Sequence, residues 1–321
     1  MTLFQTQVDE RGGMLSGPFR SPRQMLHDQI VSTAGSIHDD GTAQALGFKG
    51  GTIEGPTHFS QFEPLAERLW GERWFKEGCI SAHFRAPAFD GERLKAFLRK
   101  DASDPQGAAI WLERDDGTEI LRGTASVGPA GDASALRHRL AGLPALDMPV
   151  IHADIRVGTA SGRQPVCIDP DARIGDLYPF SLSQKLASIT ESCALHDGRD
   201  NRWGGRVLPL EMVSVLFESA PRSSGLQKRG PAVALYADLE VRLLRGPVLA
   251  GRGYEVDREV RLISGSRRTE SMWVLSRLWI AGTDELVAEM LHNEAAFKAS
   301  YAPYAEDHER LYGSQPVASG C

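Results

Sequence analysis

Residues 30–58 read IVSTAGSIHDDGTAQALGFKGGTIEGPTH, and residues 188–212 read SITESCALHDGRDNRWGGRVLPLEM. Each stretch contains an apolar segment, then Ile or Leu followed by His-Asp, then a Gly-Gly pair and the start of a helical pattern. His38 in the first stretch matches His196 in the second, 158 residues later. A repeat of this length predicts two copies of one domain and makes the two histidines candidates for equivalent sites.

The size and composition of the chain agree with two globular domains. It has 321 residues, of which 41% are hydrophobic and 24% are charged, and domains of about 150 residues are usual. A net charge of −6 and the lack of a long basic run argue against a nucleic-acid partner. The sequence has no apolar stretch of membrane-spanning or signal-peptide length, and its four cysteines show no CxxC spacing. We therefore expect no membrane partner and a reducing, cytoplasmic location.

The periodicity that follows each His-Asp segment changes from helical to strand-like. Phe59, Phe62 and Leu69 fall at helical steps, and Gly55 before a proline suits a helix start, whereas Pro64 predicts a kink or a later start. Alternating strands follow, with Asp115-Asp116-Gly117 as a hairpin turn. The second half repeats this order: LPLEMVSVLFES is the helix, and a hairpin at Gly282-Thr283-Asp284 closes the strands.

Because strands follow one another instead of alternating with helices, each half is predicted to be α+β, with one central helix and an antiparallel meander. The predicted domains are residues 1–128 and 173–321, with a linker region at 129–172. A homodimer is a further expectation, because open sheet edges need cover.

The first His-Asp segment resembles the signature of the MaoC-like hydratase and dehydratase family. The matching stretch is HDDGTAQALGFKGGTIEGPTH, which begins at His38, and FRAPAFDGERL resembles a second family motif. The resemblance covers most of the chain through the repeat and is weaker in detail in the second copy. It implies a double hot dog, in which each of two repeats is a long helix wrapped by a curved antiparallel sheet.

The resemblance also implies a chemistry, which is the reversible addition of water to the double bond of an enoyl thioester carried by coenzyme A or an acyl carrier protein. In the family, an Asp/His pair handles the proton, and backbone amides at the start of the central helix polarise the thioester carbonyl. Gly51 and Gly55 would let the substrate approach the backbone. Arg202 and Arg206 would contact coenzyme A phosphates, although a solvated basic loop is the simpler interpretation. No cofactor is implied, because the chain lacks metal-ligand spacings and nucleotide-binding loops.

The sequence departs from the family pattern at the catalytic acid. The residue five positions before His38 is Thr33, which cannot act as a base, whereas Glu191 stands five positions before His196. We therefore predict that Glu191 and His196 form the acid/base centre, with His38 as the alternative. The second helix start looks less suitable for binding a carbonyl, because Pro209 takes the place of Gly55 in this alignment.

Other interpretations remain open from sequence alone. Both histidines could be structural residues, and Asp39 and Asp197 are most simply helix N-caps. The missing acid at Thr33 also fits a hot dog that binds an acyl thioester or another apolar ligand without catalysis. A thioesterase is a third possibility, since one fold hosts several chemistries.

Overall fold

A computed structural model describes residues 3–31, 35–221 and 224–313. Its strands are β1 (Asp9–Arg11), β2 (Met14–Ser16), β3 (Gly78–Phe84), β4 (Leu94–Lys100), β5 (Gly107–Arg114), β6 (Glu119–Val127), β7 (Gln164–Val166), β8 (Ala234–Leu243), β9 (Tyr254–Gly265), β10 (Thr269–Ile280) and β11 (Leu286–Phe297). Its α-helices are α1 (Asp40–Ala45), α2 (Glu63–Trp70), α3 (Arg73–Glu77), α4 (Ala135–Gly142), α5 (Leu182–Ser188), α6 (Leu210–Ser219) and α7 (Tyr304–Tyr312). Short 3-10 segments lie at Gly55–Phe62, Gly128–Ala133, Ser224–Leu226 and Lys298–Ser300.

The eleven strands of the described residues form one antiparallel sheet that is nearly symmetric about its middle. The strand order is β1-β2-β4-β5-β6-β3-β8-β11-β10-β9-β7. The order β4-β5-β6-β3 in the first half is therefore mirrored by β8-β11-β10-β9 in the second. The two halves meet where β3 pairs with β8, with Ile80 opposite Val241. The predicted α+β repeat, a helix followed by an antiparallel meander, is confirmed.

A central helix packs against the sheet in each half. The first central helix is the 3-10 segment Gly55–Phe62 continued by α2, and the second central helix is α6. Phe59 and Phe62 are fully buried, as the apolar stripe predicts. Pro64 lies in the first turn of α2, where the helix changes from 3-10 to α geometry, so the expected later start of the regular helix is confirmed.

The two predicted hairpin turns connect the expected strands. Gly117 between β5 and β6 has a φ of 83°, and Gly282 between β10 and β11 has a φ of 72°. Such left-handed backbone is accessible to glycine without strain. The repeat therefore extends through the strands as well as through the His-Asp segments.

The segment between the halves, residues 129–172, carries regular structure. Its helix α4 buries Leu136 and places Arg137 against both Glu240 (Nε–Oε1, 2.9 Å) and Glu289 (Nη2–Oε2, 2.7 Å). Its strand β7 adds to the edge of β9. Among the described residues, no helix has both the length and the hydropathy needed to cross a bilayer.

Candidate active site

The two halves hold their histidines in the same way. Nδ1 of His38 donates to the carbonyl oxygen of Thr52 (2.7 Å), and Nδ1 of His196 donates to that of Val207 (2.8 Å). Each acceptor lies three residues before the first residue of its central helix. The hydrogen bond fixes the ring and places its proton on Nδ1, because a carbonyl oxygen can only accept.

This common geometry corrects the alignment of the two helix starts. The amides of Ile53 and Leu208, which follow the two acceptors, donate to equivalent carbonyl groups, at 2.8 and 2.9 Å. Counting onward, the residue equivalent to Gly55 is Leu210, and Pro209 lies one position earlier. The alignment of the two sequences was displaced by one residue, because it matched the glycine pairs instead of the carbonyl groups that accept from the histidine rings.

A cavity of about 750 Å³ lies between the two halves and reaches the first helix start. His38 and Gly55 line it from the first half, and Tyr236 lines it from β8 of the second. Its apolar wall includes Leu26, Ile37, Phe48, Phe84, Ile120, Val233 and Leu235. A cavity of this size and polarity suits a small organic ligand with an apolar group. We call it the central cavity.

His38 has the properties of a base in this cavity. Burial lowers the pKa of His38, and the hydrogen bond to the Thr52 carbonyl offsets only part of that effect. The ring is therefore neutral near pH 7, with its proton held on Nδ1 and a lone pair on Nε2. Within the described ranges, Nε2 makes no hydrogen bond. The ring can thus accept a proton from a molecule in the cavity.

The amide of Gly55 is placed to bind an oxygen atom. It is the first residue of the first central helix and, in the described part of the chain, its N–H has no hydrogen-bond partner. Such helix starts attract partial negative charge. A Cβ at this position would lie 2.5 Å from Cζ of Phe84, so glycine also makes room for that ring in the cavity wall.

A buried charge cluster lies behind this helix start. Nζ of Lys185 donates to Oε1 of Glu54 (2.7 Å) and to Oγ1 of Thr57 (2.8 Å), and it lies 3.8 Å from Oε2 of Glu211. Burial would raise the pKa of Glu54, but the charge of Lys185 outweighs it and lowers that pKa. Burial raises the pKa of Glu211 to about 7. Burial and then Lys185 lower the pKa of His58, which lines the cavity, to about 4.

The structure does not bring Glu191 and His196 together as the predicted acid/base pair. Both side chains are buried, but Glu191 accepts from Nε of Arg20 (2.7 Å) and from the hydroxyl of Thr6. Nε2 of His196 faces Oε2 of Glu63 (3.2 Å). Neither residue lines the central cavity. A spacing of five residues cannot reveal that each side chain takes a partner from the other half.

Glu63 fills the second helix start. Its Oε1 accepts from the amide of Leu210 at 2.7 Å, while Oε2 contacts His196. These groups correspond to the amide of Gly55 and the ring of His38. One carboxylate therefore occupies, in the second half, the space between histidine and helix start that belongs to the cavity in the first half.

The other predicted binding residues also lie away from the cavity. The side chain of Arg202 pairs with Asp200 and with Glu72 (Nη1–Oε1, 2.6 Å), as expected for a solvated loop. Arg206 packs beside Gly198, where an added Cβ would lie 3.0 Å from Cγ of the arginine. Neither arginine lines the central cavity.

Gly51 has a backbone role. Its amide donates to Oδ1 of Asp40 (2.8 Å), and a Cβ there would lie 2.3 Å from the carbonyl oxygen of His38. Asp39 is the predicted N-cap, since Oδ1 accepts from the amide of Thr42 (2.8 Å). Asp197 caps no helix; its Oδ1 accepts from the amide of Arg199 (3.0 Å). Thr33, which stands five positions before His38 where Glu191 stands before His196, lies outside the described residues.

Sequence reasoning named none of the three glutamates that line the cavity, Glu54, Glu218 and Glu294. Glu218 is buried on α6 and lines the cavity together with His38. The available signal was a second repeated dipeptide, Phe62-Glu63 and Phe217-Glu218, at the same separation as the two helix starts.

Known structures share this architecture. No protein-family model matches the sequence, and the search of curated proteins gives no match. The chain is similar to a structure described as a MaoC domain protein dehydratase from Chloroflexus aurantiacus J-10-fl, with 14% identity, 92% of this chain and 96% of that chain covered, and a TM-score of 0.52. It is also similar to Rv0216 from Mycobacterium tuberculosis, described as having a double hotdog fold, with 11% identity, coverages of 91% and 96%, and a TM-score of 0.57.

These similarities extend over nearly the whole length of both chains. They agree with the mirrored sheet and the two central helices described above. The protein has a double hot dog fold, and this prediction from the sequence is confirmed.

Proposed function

We propose that this protein is a hydro-lyase that adds water to, or removes it from, an acyl thioester in the central cavity, with the chemistry in the first half. The observation that carries the proposal is that His38 and the Gly55 amide line one apolar cavity of ligand size. The second half offers no equivalent opening between its histidine and helix start, because Glu63 contacts both.

The proposed reaction uses two groups of the site, the Gly55 amide and the His38 ring. The Gly55 amide donates to the thioester carbonyl oxygen, which gains negative charge as water attacks. Nε2 of His38 takes a proton from the water while the oxygen bonds to C3 of the enoyl group, and the electron pair of the C2–C3 double bond moves toward the carbonyl oxygen. The imidazolium then returns the proton to C2. The sum is addition of one water molecule, and dehydration is the reverse.

Turnover of a series of 2-enoyl-coenzyme A esters tests the proposal directly. In wild type and in His196→Gln we expect the absorbance of the conjugated double bond to fall as the ester is converted. In His38→Gln we expect this absorbance to stay constant, because turnover is abolished. Equal turnover in wild type and His38→Gln would contradict the assignment of His38. Release of free thiol from a saturated acyl-coenzyme A, with no loss of the double bond in the enoyl series, would identify a thioesterase instead.

The second candidate function is binding of an acyl thioester without turnover. Thr33, in place of the acid that the family signature carries, favours this candidate. It requires saturable binding of acyl-coenzyme A in calorimetry together with no reaction for any ester in the series. Efficient turnover of one ester would exclude it.

A further inference from the structure

The two central helices carry a glutamate at the same position. Glu63 lies eight residues after Gly55, and Glu218 lies eight residues after Leu210. Each glutamate follows a buried phenylalanine, Phe62 or Phe217. The internal symmetry of the fold thus relates the two carboxylates in the same way as it relates His38 and His196.

The second half shows what this position reaches. Glu63 comes from the first central helix but serves the other half, where its two oxygens contact the His196 ring (3.2 Å) and the Leu210 amide (2.7 Å). All three side chains are buried. A glutamate eight residues into one central helix is therefore directed at the histidine and helix start of the opposite half.

By the same symmetry, Glu218 on the second central helix, α6, is directed at the histidine of the first half, His38. Glu218 is buried and lines the central cavity together with His38 and Gly55, as this relation requires. The two halves differ in the space between these groups. In the first half the cavity separates Glu218 from His38 and Gly55, whereas in the second half the equivalent groups are in direct contact. A ligand and a water molecule can occupy that space.

We infer that Glu218 is a catalytic residue of the first-half site and supplies, from the second half, the carboxylate that is absent at Thr33. This inference rests on the proposed function. The Glu218 carboxylate accepts one hydrogen bond from the attacking water and orients it, while the other water proton passes to Nε2 of His38 and then to C2. Glu218 ends the cycle unchanged, so the added atoms remain those of one water molecule.

Two other carboxylates, Glu54 and Glu294, also line the cavity. Besides His38, the other ionisable side chains in the wall are His58, Arg85, Lys228, Tyr178 and Tyr236. The side chain of Arg85 pairs with Glu119 (Nη1–Oε1, 2.7 Å). Among these residues, Glu218 is distinguished by its position on α6 and by its equivalence to Glu63.

The test compares Glu218→Gln and Glu218→Asp with the symmetry-related Glu63→Gln, using the enoyl ester that wild type converts fastest. We expect Glu218→Gln to lower kcat about 100-fold or more with little change in KM, which is the usual scale of acid/base assistance. We expect kcat of Glu218→Asp to lie between those of Glu218→Gln and wild type, because aspartate retains the carboxylate. Added formate should restore turnover in Glu218→Ala. Glu63→Gln should keep kcat within about threefold of wild type.

Three results would overturn the inference. Wild-type kcat in Glu218→Gln would do so while leaving the proposed function intact. Equal losses in Glu218→Gln and Glu218→Asp, with no rescue of Glu218→Ala by formate and an unfolded circular dichroism spectrum, would assign the residue to stability alone. Failure of wild type to convert any enoyl ester would overturn both the inference and the proposed function.

Discussion

The two histidine sites share one scaffold and differ in what lies between the histidine and the helix. Both rings donate from Nδ1 to a carbonyl oxygen at nearly the same distance. In the first half the central cavity separates His38 from the Gly55 amide, and in the second half Glu63 bridges His196 and the Leu210 amide. A repeated histidine segment therefore does not by itself define a binding site. The space between the histidine ring and the helix start must also be open.

The largest expected effect comes from removing one histidine at a time. We predict that His38→Ala lowers kcat/KM for an enoyl thioester by about 100- to 10,000-fold, because the site loses its acid/base group. His196→Ala should change kcat/KM less than about threefold. Steady-state kinetics of both variants, checked for folding by circular dichroism, measures the contrast. A larger loss in His196→Ala would reverse our assignment of the halves.

The next effect concerns the carboxylate that fills the second site. Glu63→Ala removes the acceptor for the Leu210 amide and the partner of His196 in a buried place. Each of the two buried groups left without a partner costs about 1–3 kcal/mol, so the free energy of unfolding should fall by about 2–6 kcal/mol. Urea unfolding measures it, with the exposed Arg68→Ala on the same helix as control. A loss equal to that of the control would mean that Glu63 does not stabilise the second half.

The pH dependence of stability should also distinguish the halves, because the helix position of His58 is occupied by Val213 in the second half. The folded protein keeps His58 neutral to about pH 4, whereas the ordinary pKa is 6.5. Between these values the unfolded chain binds more protons, so stability falls as pH falls, by about 3 kcal/mol in total. His58→Val should remove this dependence.

Urea unfolding of wild type and His58→Val between pH 7 and about pH 4 tests this prediction. Glu211 acts in an overlapping window with the opposite sign, because burial raises its pKa to about 7. The difference between the two proteins therefore isolates His58. The exposed His138→Val should follow wild type. Parallel curves for wild type and His58→Val would show that His58 is not buried as a neutral ring.

The smallest effect concerns the helix start itself. Gly55→Ala places a methyl group against the Phe84 ring, and we expect a loss of about 1–3 kcal/mol from overpacking, together with lower turnover. Phe84→Leu in the same chain should restore part of the loss. Leu210→Ala is the matched change in the second half and should leave turnover unaltered. Additive losses for Gly55→Ala and Phe84→Leu would contradict the contact.

Local patterns in the sequence predicted the fold correctly. The hairpin glycines, the helix stripe of Phe59 and Phe62 and the repeat itself each depend on residues close together in the chain. The active half was predicted as the second because Glu191 stands near His196 in sequence. Their real partners, Arg20 and Glu63, are 171 and 133 residues away. No local pattern encodes which half supplies a partner across the central helices.

The antiparallel joint between β3 and β8 has an evolutionary consequence. In a dimer of identical subunits each mutation appears twice, so both sites change together. Fusing the copies into one polypeptide removes that constraint. The residues at positions 63 and 218 can then change independently of each other. The joint between β3 and β8 thus combines one half with a carboxylate between its histidine and helix start and one half with a cavity there.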